Sequence, residues 1–269
     1  MQIRKTVFLL ILITTYLKNS LNKINKNYME TYYNYIEKFI FNINNNINFA
    51  FAHFNDGEIR LLLGQSQNES RGQQDNSKLL QEKIMSALTY HSENYYPGIP
   101  CSKCHKDLHL FCKNKIKSKN VPAAVFHHTK ISHFDKFLLS LEGKKLYWFV
   151  DKHKNLKNFK KHNYNLDISS KFIIKSKNAF DEYHIIKNIC NFKNNSIVIL
   201  LCGPLGRILA QEWFERNNNV TYLCLGSYFD SILIDKKYRY DSLRLSLFGG
   251  HRDCSECFNK KIIRKYLNT

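Results

Sequence analysis

Ser196-Ile-Val-Ile-Leu-Leu-Cys202 is an unbroken apolar run that leads straight into Gly203-Pro-Leu-Gly206 and then into the segment Arg207–Arg216. A short aliphatic run rich in β-branched residues and closed by glycine and proline predicts a strand buried on both faces. A tight turn and a helix after such a strand form half of a parallel βα unit. Downstream, Val220–Leu225 is a second strand. Upstream, Lys145–Val150, finishing at Asp151, and Phe172–Ile174 read as strands, with helices over Asp135–Leu141 and Ala179–Cys190. Val121–Phe126 is a short buried strand, and Tyr95–Pro100 is a turn-rich strand end. Lys78–Tyr90 carries Leu79, Leu80, Ile84 and Leu88 at helical spacing. Asn48–Phe54 is β-prone and ends in Asn55-Asp56-Gly57-Glu58, after which a helix is predicted over Ile59–Gly64 and a polar loop over Gln65–Ser77. The whole predicts an α/β fold: a Rossmann-like, mostly parallel sheet with helices on both faces in a single main domain.

That domain is expected over residues 48–269, with no internal repeat and with the tail Tyr238–Cys257 lying as a loop against the sheet. Residues 21–47 read as a stem or first helix, with helical periodicity over Tyr28–Phe41. Residues 1–20 carry Arg4 and Lys5 ahead of the apolar run Val7–Leu17, the order of a secretory signal peptide or signal anchor. The run is shorter than the ~20 residues that span a bilayer. The competing reading is a buried N-terminal helix of a cytosolic protein. Localisation follows the choice: the secretory pathway or a membrane anchor in the first case, the cytoplasm in the second. In an oxidising lumen the cysteines could pair, and Asn68, Asn194 and Asn219 would be glycosylation acceptors.

The 269 residues hold 41 Lys+Arg against 22 Asp+Glu, a formal charge of +19. Only 10 Gly and 4 Pro exclude a collagen-like chain, and 8 Cys are too dilute for a small disulfide scaffold. A basic excess points first to nucleic acid, an anionic membrane or a phosphorylated ligand. Here lysine travels with Asn, Ile, Tyr and Phe, as in Asn44–Asn46 and Lys152–Lys161, the residue set of A- and T-rich codons. No nucleic-acid motif accompanies it.

Ligands of open α/β sheets bind beyond the carboxyl ends of the strands. Three motifs fall there. Asp56-Gly57-Glu58 sets two carboxylates around a glycine, which suits a hard divalent cation bridging phosphate oxygens; its alternative is a helix cap. Gly203-Pro204-Leu205-Gly206, with Arg207 beside it, suits an anion at a helix N-terminus or is simply a tight turn. It lacks the dinucleotide fingerprint and the phosphate-loop Lys-Ser/Thr ending, which disfavours NAD binding and ATP hydrolysis. Gly226-Ser227, with Asp230, could hydrogen-bond a ligand or start a helix.

Taken together, these motifs resemble the glycosyltransferases with the GT-D fold. Ala52-His-Phe-Asn-Asp-Gly-Glu-Ile-Arg60 resembles that family's Arg-Phe-Gly-Asp-Gly-Glu opening. Ala179-Phe180, then Ile197–Trp213 with its Gly-Pro-x-Gly, then Leu225–Asp230 follow in the family's order. The resemblance covers about residues 48–235. It implies a metal-dependent transferase moving a sugar from a nucleotide diphosphate sugar, a UDP-sugar being the expected donor, to a glycan or glycoprotein hydroxyl. It implies Asp56 and Glu58 at a Mn²⁺ or Mg²⁺ ion and in catalysis. The substrate-binding set would be Asn55, Gly57, Arg60, Gly203, Pro204, Gly206, Arg207, Gly226, Ser227 and Asp230. His53-Phe54-Asn55 stands where the family has Arg-Phe-Gly. An inverting transfer needs a base for the acceptor hydroxyl, and His53, His91, Glu93 and Asp151 are the candidates, with Glu58 a further one if Asp56 alone holds the metal.

Cys101-x-x-Cys104 and Cys254-x-x-Cys257 would staple the loop after Pro100 to the tail, through a structural Zn²⁺ or through disulfides. Cys190, Cys202 and Cys224 lie in apolar stretches and read as inert core residues, and His127, His128 and His133 as ordinary hydrogen-bonding groups. Two rivals to the transferase stand beside it. One is a basic, zinc-stapled nucleic-acid-binding protein; the other is a phosphohydrolase using the same Asp-Gly-Glu site.

Overall fold

A computed structural model describes residues 33–66, 74–102, 105–126 and 131–234. Residues 1–20, expected as a signal peptide or anchor, and Asn68, Cys104, His127, His128 and the tail carrying Cys254 and Cys257 lie outside the described residues. The zinc-or-disulfide expectation therefore meets the structure only at Cys101, which is buried.

The described chain builds a seven-stranded sheet, all of its neighbours parallel, in the order β3-β2-β1-β7-β6-β4-β5. The strands are β1 (Ala50–His53), β2 (Tyr95–Ile99), β3 (Val121–Pro122), β4 (Leu146–Asp151), β5 (Ile168–Ile174), β6 (Ile197–Leu201) and β7 (Thr221–Cys224). β6 is buried at every position because its alternate side chains enter two different cores. Ile197, Ile199 and Leu201 face a cluster that includes Trp148 and Phe229, while Val198 and Leu200 face another that includes Phe149 and Trp213. The parallel α/β expectation is what the structure shows.

Helices cover both faces. Residues 33–44 are helical (α1), and Ile36, Phe39, Ile40 and Ile43 of this helix enter the first core, with Phe39 stacked 4.9 Å from Phe49. This helix lies inside the segment read as a stem or first helix, and it packs onto the domain expected from residue 48. The remaining helices are α2 (Asp56–Leu62), α3 (Lys78–Thr89), α4 (Lys106–Lys115), α5 (Ile131–Ser140), α6 (Asn158–Lys161), α7 (Tyr183–Ile186), α8 (Gly203–Arg216) and α9 (Asp230–Leu233). α8 and α3 share the second core, and α5, α6 and α9 share the first. Among the described residues no helix is long and apolar enough to cross a membrane.

Local chemistry moves several boundaries. Pro122 gives β3 no ladder donor, and the chain turns into a 3₁₀ turn over Ala123–Val125 where the sequence predicts a strand to Phe126. The helix expected over Ala179–Cys190 is a 3₁₀ turn, Ala179–Glu182, followed by the short α7.

Gly206 lets α8 press onto the sheet. A Cβ there would stand 3.1 Å from Cys224 Sγ and 3.2 Å from Leu200 Cβ. Gly206→Ala is expected to cost about 1–3 kcal/mol through this overpacking, read as a lower midpoint in urea unfolding with an unchanged slope. Cys202 and Cys224 lie in the same packed layer, and burial pushes both thiols above their ordinary value, as it pushes Cys112 up to about 12. These are inert core thiols.

Candidate functional site

A cavity of about 430 Å³ opens along the carboxyl ends of β1, β7, β6, β4 and β5. Its position follows from topology: in a parallel sheet every strand delivers its following loop to this edge. Of the expected residues it gathers Asn55, Asp56, Gly57, Glu58, Gly203, Pro204, Arg207, Gly226, Ser227 and Asp230. Gly206 and Arg60 are not in its lining. Gly206 sits beneath α8, and Arg60 lies on the outer side of α2, its Nε 3.8 Å from Asp56 Oδ2.

The helix after β1 starts at Asp56 rather than Ile59, so both carboxylates occupy its first turn, where the positive end of the helix favours them. They then diverge. Glu58 is 3% exposed; the backbone N–H of Asn55 donates to its Oε2 at 2.9 Å, and Arg207 Nη2 stands 3.0 Å from its Oε1. Burial pushes the Glu58 carboxyl up, and Arg207 and the Asn55 N–H pull it back only in part. Asp56 keeps 28% of its side chain exposed and faces the cavity.

Arg207 is a cross-brace and not an open anion site. Its Nε donates to the His53 carbonyl at 2.5 Å, its Nη1 donates to the Gly203 carbonyl, and its Nη2 meets both Glu58 and His53 Nδ1, the latter at 3.1 Å. One guanidinium thus ties the end of β1, the first turn of α2 and the turn after β6 together. A guanidinium only donates, so His53 Nδ1 accepts and the ring proton sits on Nε2. His53 Nδ1 is thus engaged by the brace. Gly226, at φ +59, leaves room for that ring: a Cβ would lie 3.3 Å from His53 Nδ1.

The far wall holds residues that no motif announced. Lys154 is 4% exposed, ion-paired with Asp230 and 4.0 Å from Asp151 Oδ2. Asp230, read as hydrogen-bonding a ligand or starting a helix, opens α9 and lines the cavity with its carboxylate paired to this lysine. Asp151 Oδ1 accepts from the His153 N–H at 2.8 Å, and its side chain keeps 22% exposure. His91 and Glu93 precede β2, at the opposite edge of the sheet, so of the candidate bases outside the Asp-Gly-Glu motif His53 and Asp151 line the cavity, and Asp151 is the one that keeps part of its carboxylate exposed. Gln74, Lys175, Ser176 and Lys177 complete the wall; Gln74 is buried and accepts from the Phe180 N–H at 3.1 Å. A lysine after a strand carries no spacing signal, which is why sequence reading passed over them.

Among the described residues no three His, Cys, Asp or Glu side chains stand together as a metal-binding group.

No sequence-family profile and no curated protein matches the chain. Solved structures do match its fold. A selenomethionine-substituted structure of domain of unknown function 1792 aligns at TM-score 0.56 and 19% identity, covering 72% of this chain and 77% of its own. A structure described as showing that this highly conserved domain has a distinct glycosyltransferase fold aligns at TM-score 0.57 and 19% identity over the same shares. A structure described as a new glycosyltransferase from Streptococcus sanguinis, with the same domain, aligns at TM-score 0.56 and 15% identity, covering 72% of this chain and 80% of its own. The chain has the fold these structures share, an α/β fold described for one of them as a distinct glycosyltransferase fold.

Proposed function

We propose that the protein is a glycosyltransferase of the GT-D type, moving a sugar from a nucleotide diphosphate sugar to an acceptor hydroxyl with the help of Mn²⁺ or Mg²⁺. The observation that carries it is Asp56: a partly exposed carboxylate on the first turn of α2, sharing one strand-end cavity with Asp151 and the Gly203 turn. The likeness of the fold to proteins described as glycosyltransferases and the order of the sequence motifs support the same reading.

The donor set fits a hard cation held by few protein ligands. Mg²⁺ and ions like it bind through one or two carboxylates, with substrate phosphates and water completing the shell. Asp56 would supply that carboxylate. Glu58, with both oxygens engaged, acts as a positioning residue that fixes the first turn of α2 through Arg207. When bound, the ion neutralises charge developing on the diphosphate leaving group. The backbone around Gly203 and Gly226, both left-handed, keeps the strand ends open to the donor. Asp151 is the base that would take the acceptor's proton, oriented by the His153 N–H.

A thermal-shift panel of UDP-, GDP- and dTDP-sugars, each with and without Mn²⁺, tests this. One nucleotide should raise the melting temperature in a metal-dependent manner, UDP-sugars being the expected class. No shift with any of them, or a shift indifferent to metal, would count against the assignment.

A further inference from the structure

A nucleoside diphosphate brings several negative charges, and a binding site for it must hold positive groups that the fold has not already spent. Arg207 is committed to Glu58, His53 and Gly203. Lys154 is committed to Asp230 and stands beside Asp151. Lys175 and Lys177 line the same cavity, both are exposed, and among the described residues neither carries an ion pair.

Their segment is held in place. It leaves β5 at Ile174, where the Lys175 N–H donates to Glu182 Oε2 at 2.8 Å. It ends at Asn178, which sits at φ 50 in the left-handed region and is clasped by Asp75. Asn178 Nδ2 donates to Asp75 Oδ2 at 2.7 Å, and the Asp75 N–H returns a bond to Asn178 Oδ1 at 2.9 Å. Buried Gln74 fixes the next turn through the Phe180 N–H. Both ends of the Lys175-Ser176-Lys177 lip are thus anchored, and both of its lysines are exposed and line the cavity.

We propose that this lip is the diphosphate-binding element of the site, with Lys175 and Lys177 supplying the cationic contact that Arg207, beside the Gly203 turn, was expected to supply. The inference rests on the transferase reading for the identity of the ligand, and on the cavity's charge distribution for the residues.

Calorimetric titrations with UDP, inorganic pyrophosphate and uridine, run with Mn²⁺ and again with EDTA, test it. K175A/K177A should weaken UDP and pyrophosphate binding by about tenfold or more, as expected for lost charge-assisted contacts, and leave uridine unaffected. K113A/K115A removes the same charge from exposed positions on α4, remote from the cavity lining, and should change none of these. Unchanged UDP and pyrophosphate affinity in K175A/K177A overturns the proposal, as does an equal loss in K113A/K115A. Pyrophosphate binding that depends on the lysines, with no binding of any nucleotide, keeps the lip and removes the transferase reading. Wild-type protein that binds neither removes both.

Discussion

Arg207→Ala is expected to destabilise the protein by about 3–5 kcal/mol, the cost of leaving one member of a buried ion pair without its partner. Glu58, 3% exposed in the wild type, would lose the partner of its Oε1, and the carbonyls of His53 and Gly203 would each lose a donor. At this chain size the loss corresponds to a melting temperature lower by roughly 10 °C. Arg207→Lys should recover little, because an ammonium cannot span the three groups that the planar fork reaches together. Arg207→Met combined with Glu58→Gln should cost less than the two single changes added, since the stranded charge is then gone. Differential scanning calorimetry of Arg207→Ala, Arg207→Lys, Arg207→Met, Glu58→Gln and the double variant gives the comparison. An Arg207→Ala protein melting within a degree or two of wild type would show that the brace does not hold the strand ends.

The second large effect separates the two acids of the Asp-Gly-Glu motif. Asp56→Ala should lower metal-supported turnover by about 10²–10³-fold, the loss typical when charge stabilisation at the reacting group is removed. Stability should move by less than about 1 kcal/mol, because its contact with Arg60 is an exposed one and the rest is a helix-end effect. Glu58→Gln should do the reverse, lowering the melting temperature far more than Asp56→Ala does while retaining the greater share of turnover below that temperature. Equal losses of turnover at unchanged stability in both variants would return Glu58 to the metal shell.

Much of this was legible in the residues. The continuous run Ile197–Leu201 could only be a strand covered on both sides, and each strand-end motif marked the edge where the cavity lies. What escaped reading depends on partners far away in sequence. Nothing near Arg207 reveals that it is spent on His53 and Glu58, 154 residues away in the case of His53. Glu58 looks equivalent to Asp56 until the Asn55 N–H and Arg207 claim its two oxygens. Lys154, Lys175 and Lys177 were hidden among the 41 Lys+Arg of a chain whose formal charge is +19; only the fold distinguishes them from solvated neighbours. Helix α1 was ambiguous for a similar reason. Its apolar face, Ile36, Phe39, Ile40 and Ile43, is interrupted by polar and exposed residues, and its burial is decided by Phe49, Phe51 and Phe126, which pack against Phe39.

The central claim is that Asp56 joins a divalent cation to a nucleotide diphosphate in this cavity. An electron paramagnetic resonance titration of free Mn²⁺ against the protein, with and without UDP, tests it most directly. The account predicts Mn²⁺ uptake that strengthens markedly when UDP is present and is lost in Asp56→Asn while the variant keeps its wild-type melting temperature. Mn²⁺ uptake in Asp56→Asn equal to wild type, or uptake that ignores UDP, would contradict it.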